Sequence, residues 1–469
     1  MLRRTITAVS VLALAVSSAT VATVAGTIAT TTSAAARTVE EDSYYPSKGD
    51  PRIDVRSYAL DLSWRAADLT LSGTATLRVD AVEDAGSILL DLHKAMKVRS
   101  VSVGGVRVGY DHTGKDLSIS MAATAGASYD IKVRYAGRPR TVDAPTSRLD
   151  STGLGWNTTA DGQVWTMQKP YGAYTWYPVN DVPSDKARYT VDLDVPEDWV
   201  GVSNGRLSDK DTRKGRTTTR FVNAAPMASH LLTVAIGPYQ KHKQTGPHGL
   251  PLTYWVPKGA KELLKPLRRT PDALVWLEKR LGRYPFDRAG VIVTPGRSSV
   301  ETQTLTTLAR DNYRYGASDV REQVAHALVH QWYGASVTPG DWRDLWMSEG
   351  MATYLQAKFA VSRGWDTWKY WKREFTRNDQ FWRDIYGPPG AYFANEFGQR
   401  NVHYGTALML KRLKVRIGNK RFLTLMKAWP RQNAGSVRGR GNYISFVEAR
   451  THPLGAFWEE WLTSPDSPA

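Results

Sequence analysis

The chain has 469 residues, enough for two or three domains with cores of their own. It contains no cysteine, which excludes disulfides and thiolate metal sites and leaves only nitrogen and oxygen donors for a metal. The formal charge is +17, and no nucleic-acid-binding motif accompanies it. The densest basic run, residues 411–440, carries ten Lys or Arg and no acid; it reads as a solvated face ahead of a dedicated site for an anionic cell-wall polymer.

The N-terminus begins MLRR, continues as an apolar Ala- and Val-rich run from Ile6 to about Ala25, and closes with a Thr/Ser/Ala tract ending in Ala34, Ala35 and Ala36. These are the three parts of a secretory signal peptide, residues 1–36, with cleavage before Arg37. A signal anchor is the alternative, but Ser10, Ser17, Ser18 and Thr20 interrupt the run. Cleavage removes Arg3 and Arg4 and no acid, lowering the charge from +17 to +15. No later segment reaches the roughly 18 apolar residues of a bilayer span, so the mature chain is expected to be secreted and soluble.

Residues 37–49 are polar and punctuated by Pro and Gly, as in a linker or lead-in strand. Residues 50–245 alternate apolar and polar positions in runs such as VRSYALDLSW, LTLSGTATLRVDA, YDIKVRYAG and RYTVDLDVP, separated by turn residues. This predicts an N-terminal antiparallel β domain, a sheet or sandwich. In residues 246–469 helical signals dominate. Thr270 and Pro271 start a helix that Gly282 closes, Ser318 caps one running through Tyr333 to Gly334, and another spans Trp346 to Ser362. Breaks are expected at residues 387–390, Pro430 and Pro453. The expected fold class is α+β, a β half followed by an α-rich half.

The motif that carries chemistry lies in the second half. His326 and His330 are four residues apart, so a helix presents both imidazoles on one face, and Glu349 follows after 18 intervening residues. Two imidazoles and a carboxylate with a fourth position open is the donor set of a catalytic zinc site. In the usual zinc-hydrolase pattern HExxH the Glu is the general base; here Ala327 stands at that position.

The sequence resembles the gluzincin zinc aminopeptidases, the family of aminopeptidase N and leukotriene hydrolase. The resemblance rests on HQW after the second histidine, on LWxxEGxATY from Leu345 to Tyr354, on SSVET in place of GxMEN, on GxYPF at residues 282–286, and on PYGAYTWYPVNDVPSDKARY and SNGRL upstream. It runs from about Ser47 to Leu462. It implies a saddle-shaped β domain packed on a thermolysin-like zinc domain, one zinc ion held by His326, His330 and Glu349, and a peptide as substrate or ligand. Glu301 falls on the family's acidic residue for the substrate amino end. The chain departs from the family at three places: Ala327 replaces the general base, His403 stands where the family has its oxyanion-stabilising Tyr, with Tyr404 one step later, and Lys169 stands at a second acidic position, beside Gln168. Glu322 and Glu396 are candidate substitute bases, and Glu322 and Asp344 are candidates to orient the imidazoles. The expected function is a secreted metallopeptidase, a hydrolase of the aminopeptidase type, attenuated by the loss at Ala327. The alternatives are a pseudoenzyme that binds zinc and peptides or a protein partner, and a basic wall-associated module.

Overall fold

The computed structural model describes residues 38–151 and 153–468. The predicted signal peptide lies outside the described residues.

An eight-stranded sheet dominates the first half, in the order Arg206–Arg213, Arg216–Ala228, Lys186–Pro196, Ile53–Arg65, Thr70–Ala81, Ser128–Gly137, Met96–Val103, Val106–Val108. The alternation in the sequence explains its two faces: Tyr58, Leu60, Leu62 and Trp64 are buried, while the residues between them face outward. The sheet departs from the antiparallel expectation at one place. Ile53–Arg65 and Lys186–Pro196 run parallel, in register from Ser57 opposite Arg188 to Ser63 opposite Asp194. Parallel neighbours need a long crossover rather than a tight turn, and the chain between these two strands supplies it. A smaller four-stranded sheet, Val200–Ser203, Val234–Gly237, Val164–Met167 and Gly155–Thr158, completes a second layer. Between the layers Trp64, Trp156 and Trp176 form a ladder with centroids 5.4 Å apart at each step.

Strand Tyr239–Thr245 pairs with Pro251–Pro257 rather than with the eight-stranded sheet, and Ala289–Thr294 and Thr306–Ala309 extend that pair in parallel. Helices pack over this mixed sheet. We label the three that build the site α1 (Ala317–Val329), α2 (Trp346–Ser362) and α3 (Thr406–Ile417). Residues 38–49 form no strand; they bond to both halves, the Glu40 N–H donating to Ser184 Oγ at 3.0 Å, Asp42 accepting from the Trp342 backbone N–H at 2.6 Å and Tyr45 donating to the Ala394 carbonyl at 2.7 Å.

Three local expectations need correction. Ser318 does not cap α1: Gly316 occupies the cap position and the Ser318 hydroxyl turns to Asp319, 3.4 Å away. The helix ends at Val329 instead of Tyr333, and His330 is its αR C-cap, so the four-residue spacing of the imidazoles survives. Pro430 does not break its helix, which runs Asn419–Gln432. A proline frees the carbonyl four residues earlier, and that carbonyl, Met426 O, is taken by the Tyr333 hydroxyl at 2.7 Å.

Candidate metal centre

The imidazoles come from the C-terminal turn of α1, whose other face buries Val320, Val324 and Leu328 in the core. Glu349 lies in the first turn of α2, where the helix dipole favours a carboxylate. The next residue is Gly350, and a Cβ there would collide with Thr406 at the start of α3. Glycine therefore lets α3 approach α2 closely enough to bring the turn before it to Glu349. That turn, Asn401–Gly405, is a π-helical segment, a form concentrated at functional sites.

His326 Nε2 and His330 Nε2 lie 3.1 Å apart, and Glu349 Oε2 lies 3.4 and 3.2 Å from them. A tetrahedral zinc with bonds of about 2.0–2.1 Å places neighbouring donors about 3.3–3.4 Å apart, so the triangle has the right size. The ring protons agree. His330 Nδ1 donates to the Tyr333 carbonyl at 3.2 Å, and His326 Nδ1 donates to Gln356 Oε1 at 3.0 Å. Both Nε2 lone pairs therefore face each other and a carboxylate oxygen, an arrangement that a cation satisfies. Burial works against a charge on the His330 ring, yet Glu301 and Glu349 hold its pKa above the ordinary value: the pocket attracts positive charge. The residues fit zinc.

The centre lies at the floor of a cavity of about 360 Å³. Ala327 lines it and offers no group that binds or releases a proton. Lys169 reaches in from the β half, and its ammonium forms ion pairs with both Glu301 and Glu349. Burial would lower the Lys169 pKa, but the two carboxylates outweigh it and hold the lysine charged. Gln168 faces elsewhere: its amide accepts from Trp176 Nε1 at 2.6 Å and donates to the Ser229 and Leu232 carbonyls.

His403 lines the cavity, with Nδ1 3.4 Å from Glu349 Oε2 and 3.3 Å from Thr353 Oγ1. Burial lowers its pKa to about 3 against the pull of Glu349, so the ring is neutral. Tyr404, its alternative, turns away. Successive residues of a helical turn point to different sides, and Tyr404 packs 5.5 Å from Phe375 and 5.3 Å from Trp382, outside the cavity.

The candidate substitute bases are also elsewhere. Glu322, with its pKa raised to about 7 by burial, bonds Gln356 and so touches His326 only through that amide. Glu396 accepts from Ser147 Oγ at 2.6 Å and Gln399 Nε2 at 2.8 Å, outside the cavity. Asp344 does not orient an imidazole; it holds Arg440 Nε at 2.6 Å and the Arg440 backbone N–H at 2.7 Å. Two supporting residues escaped the sequence reading. Thr353 and Gln356 stand four and seven residues after Glu349, on its face of α2, and that spacing was the available signal.

Two family models match the chain: the peptidase M1 N-terminal domain over residues 55–231 and the peptidase family M1 domain over residues 289–386, together more than half of it. The chain belongs to peptidase family M1. This M1 chain is similar in structure to an M1 zinc metallopeptidase from Deinococcus radiodurans, with a TM-score of 0.80 and 27% identity over 91% of this chain and 98% of that one. A Glu→Ala mutant of that enzyme bound to a Tyr-Ser-Ala substrate matches with the same TM-score and identity. The α+β architecture, a β-rich region followed by an α-rich one, is that of the M1 peptidases. Among curated relatives, human glutamyl aminopeptidase is 28% identical over 215 residues, 42% of this chain and 22% of its own length. A leucyl aminopeptidase of Saccharolobus solfataricus is 21% identical over 440 residues, 87% of this chain and 53% of its own length. The M1 chain thus spans about a fifth of the human relative and about half of the archaeal one. Among the described residues no helix is long and apolar enough to cross a membrane.

Proposed function

We propose that this chain is an exported zinc protein of the aminopeptidase type that binds peptides over one zinc ion and hydrolyses them at a strongly attenuated rate. The observation that carries this reading is the composition of the cavity wall. Among the described residues its carboxylates are Asp150, Glu301 and Glu349. Glu349 belongs to the donor triangle, Glu301 is held by Lys169, and Asp150 by Arg148. No carboxylate is left to take a proton from water above the metal.

In this reading His326, His330 and Glu349 hold the ion, Gln356 and the Tyr333 carbonyl fix the two rings, and the chemistry supplied by zinc bound there is Lewis-acid polarisation and a lowered water pKa. The neutral His403 ring donates an N–H toward a developing oxyanion. Ala327 neither accepts the proton nor passes it to the leaving amine, and a general base is worth about 10²–10⁴ in rate.

A second reading, a pseudopeptidase with no turnover, is favoured by the Lys169 ion pairs, which hold a cation against a metal ligand. One comparison separates the two. Wild type and Ala327→Glu are assayed with zinc quantified, on peptides with free and with blocked amino ends. The attenuated reading expects slow wild-type turnover and at least about a tenfold gain in the variant. Negligible turnover in both establishes the pseudopeptidase, and brisk wild-type turnover rules out both readings. Export is tested by N-terminal sequencing of the protein from culture medium, with a chain beginning at Arg37 expected. Retention of that protein on anionic wall polymer, abolished by salt, is the outcome expected of its basic surface.

A further inference from the structure

Among the described residues six charged side chains line the cavity: Arg148, Asp150, Lys169, Arg297, Glu301 and Glu349. Each carboxylate already has a protein cation. Asp150 accepts from Arg148 Nε at 3.0 Å and Nη2 at 2.7 Å, while Lys169 bridges Glu301 and Glu349. The exposed guanidinium of Arg297 has no ion-pair partner among the described residues. Three cations balance three anions, so a divalent metal on His326, His330 and Glu349 leaves the cavity with an excess of positive charge. A ligand ammonium brought beside the metal meets the Lys169 ammonium on the very carboxylates that would attract it. A carbonyl or carboxylate meets Lys169, Arg297 and the metal with favourable sign.

We propose that the cavity selects peptides whose amino end carries no ammonium, an N-acylated end and above all an anionic one, with Lys169 excluding the free amine and Arg297 attracting the anion. The proposal rests on the reading of this cavity as a peptide site. It makes Lys169 a specificity-determining residue that acts by occupying the carboxylates itself. Its position is well suited to that: the side chain is 11% exposed, so little water screens it, and it belongs to the β half while its partners belong to the helical half.

The test is calorimetric titration of the zinc-loaded protein with three probes: Ala-Ala-Ala, N-acetyl-Ala-Ala-Ala and N-succinyl-Ala-Ala-Ala. The succinyl peptide is expected to bind at least about tenfold more tightly than the free amine, with the acetyl peptide between them. Lys169→Gln is expected to shift the ratio at least about tenfold toward the free amine at unchanged zinc stoichiometry. Should that variant fail to fold, Arg297→Gln, at an exposed position, is expected to cut the preference for the succinyl over the acetyl peptide about threefold. Free Ala-Ala-Ala binding as tightly as the blocked forms overturns the proposal and leaves the peptide reading standing. Insensitivity of the ratio to Arg297→Gln, and to Lys169→Gln where it folds, also overturns the proposal. Failure of all three probes to bind removes both.

Discussion

On the floor of the cavity His326, His330 and Glu349 meet at tetrahedral spacing, each imidazole fixed by an acceptor behind it. On its walls stand a methyl group at Ala327, a neutral ring at His403 and an ammonium at Lys169. The floor comes from α1 and α2 alone, whereas the wall is assembled from α1, the turn before α3 and a loop of the β half. The difference teaches that metal holding and bond cleavage have separate structural requirements. Metal holding needs converging lone pairs on a rigid frame; cleavage also needs an unpaired base at a stated place, and the frame persists without it.

The largest effect is expected at the donor triangle. His330→Ala removes one donor from the triangle; since loss of an outer partner alone costs about 10–100-fold in metal affinity, loss of the ligand should exceed about 100-fold, read by competition with a chromophoric chelator. Retained affinity would mean that the ion is held elsewhere. Gly350→Ala attacks the frame. The methyl group meets Thr406, and a cost of about 2–3 kcal/mol in unfolding free energy is expected, with weaker zinc binding because α3 is pushed from α2.

A pH series tests the wall. The folded His403 ring takes up a proton only near pH 3, against 6.5 for an unperturbed histidine. Between those values the unfolded chain binds more protons, so this group's stabilising contribution is present above about pH 6.5 and is lost as the pH falls. In chelator-treated protein, acidification from about pH 7 to 4.5 should cost wild type about 2 kcal/mol more than His403→Tyr. Equal losses would show that burial does not hold the ring neutral. The smallest effect is expected at Tyr333→Phe, which deletes the hydroxyl serving Met426 O. About 1 kcal/mol of stability should be lost with zinc affinity unchanged, because the Tyr333 carbonyl, not its hydroxyl, holds His330.

Much of the floor was legible in the linear chain because its geometry is local. Residues four apart share a helix face whatever surrounds them; Thr353 and Gln356 keep the face of Glu349 by the same periodicity, yet they escaped because their roles depend on His403 and His326. The strands were legible through alternation, which survives in any half-buried sheet. What escaped depends on partners distant in sequence. Pro430 continues its helix because Tyr333 arrives to satisfy the freed carbonyl. Ile53–Arg65 gains a parallel neighbour because a distant strand takes its free edge.

The same division applies to function. The donor types, their spacing and a side chain at Ala327 that cannot carry a proton are properties of residue identity and helical repeat, readable in the linear chain. That His403 lines the cavity while Tyr404 packs against Phe375 and Trp382 depends on the fold, because the direction of a side chain at a π-helical turn follows from how that turn packs. The tertiary structure alone placed Lys169 across the interface on Glu301 and Glu349, because an ion pair between residues more than a hundred positions apart depends on how the β and helical halves meet.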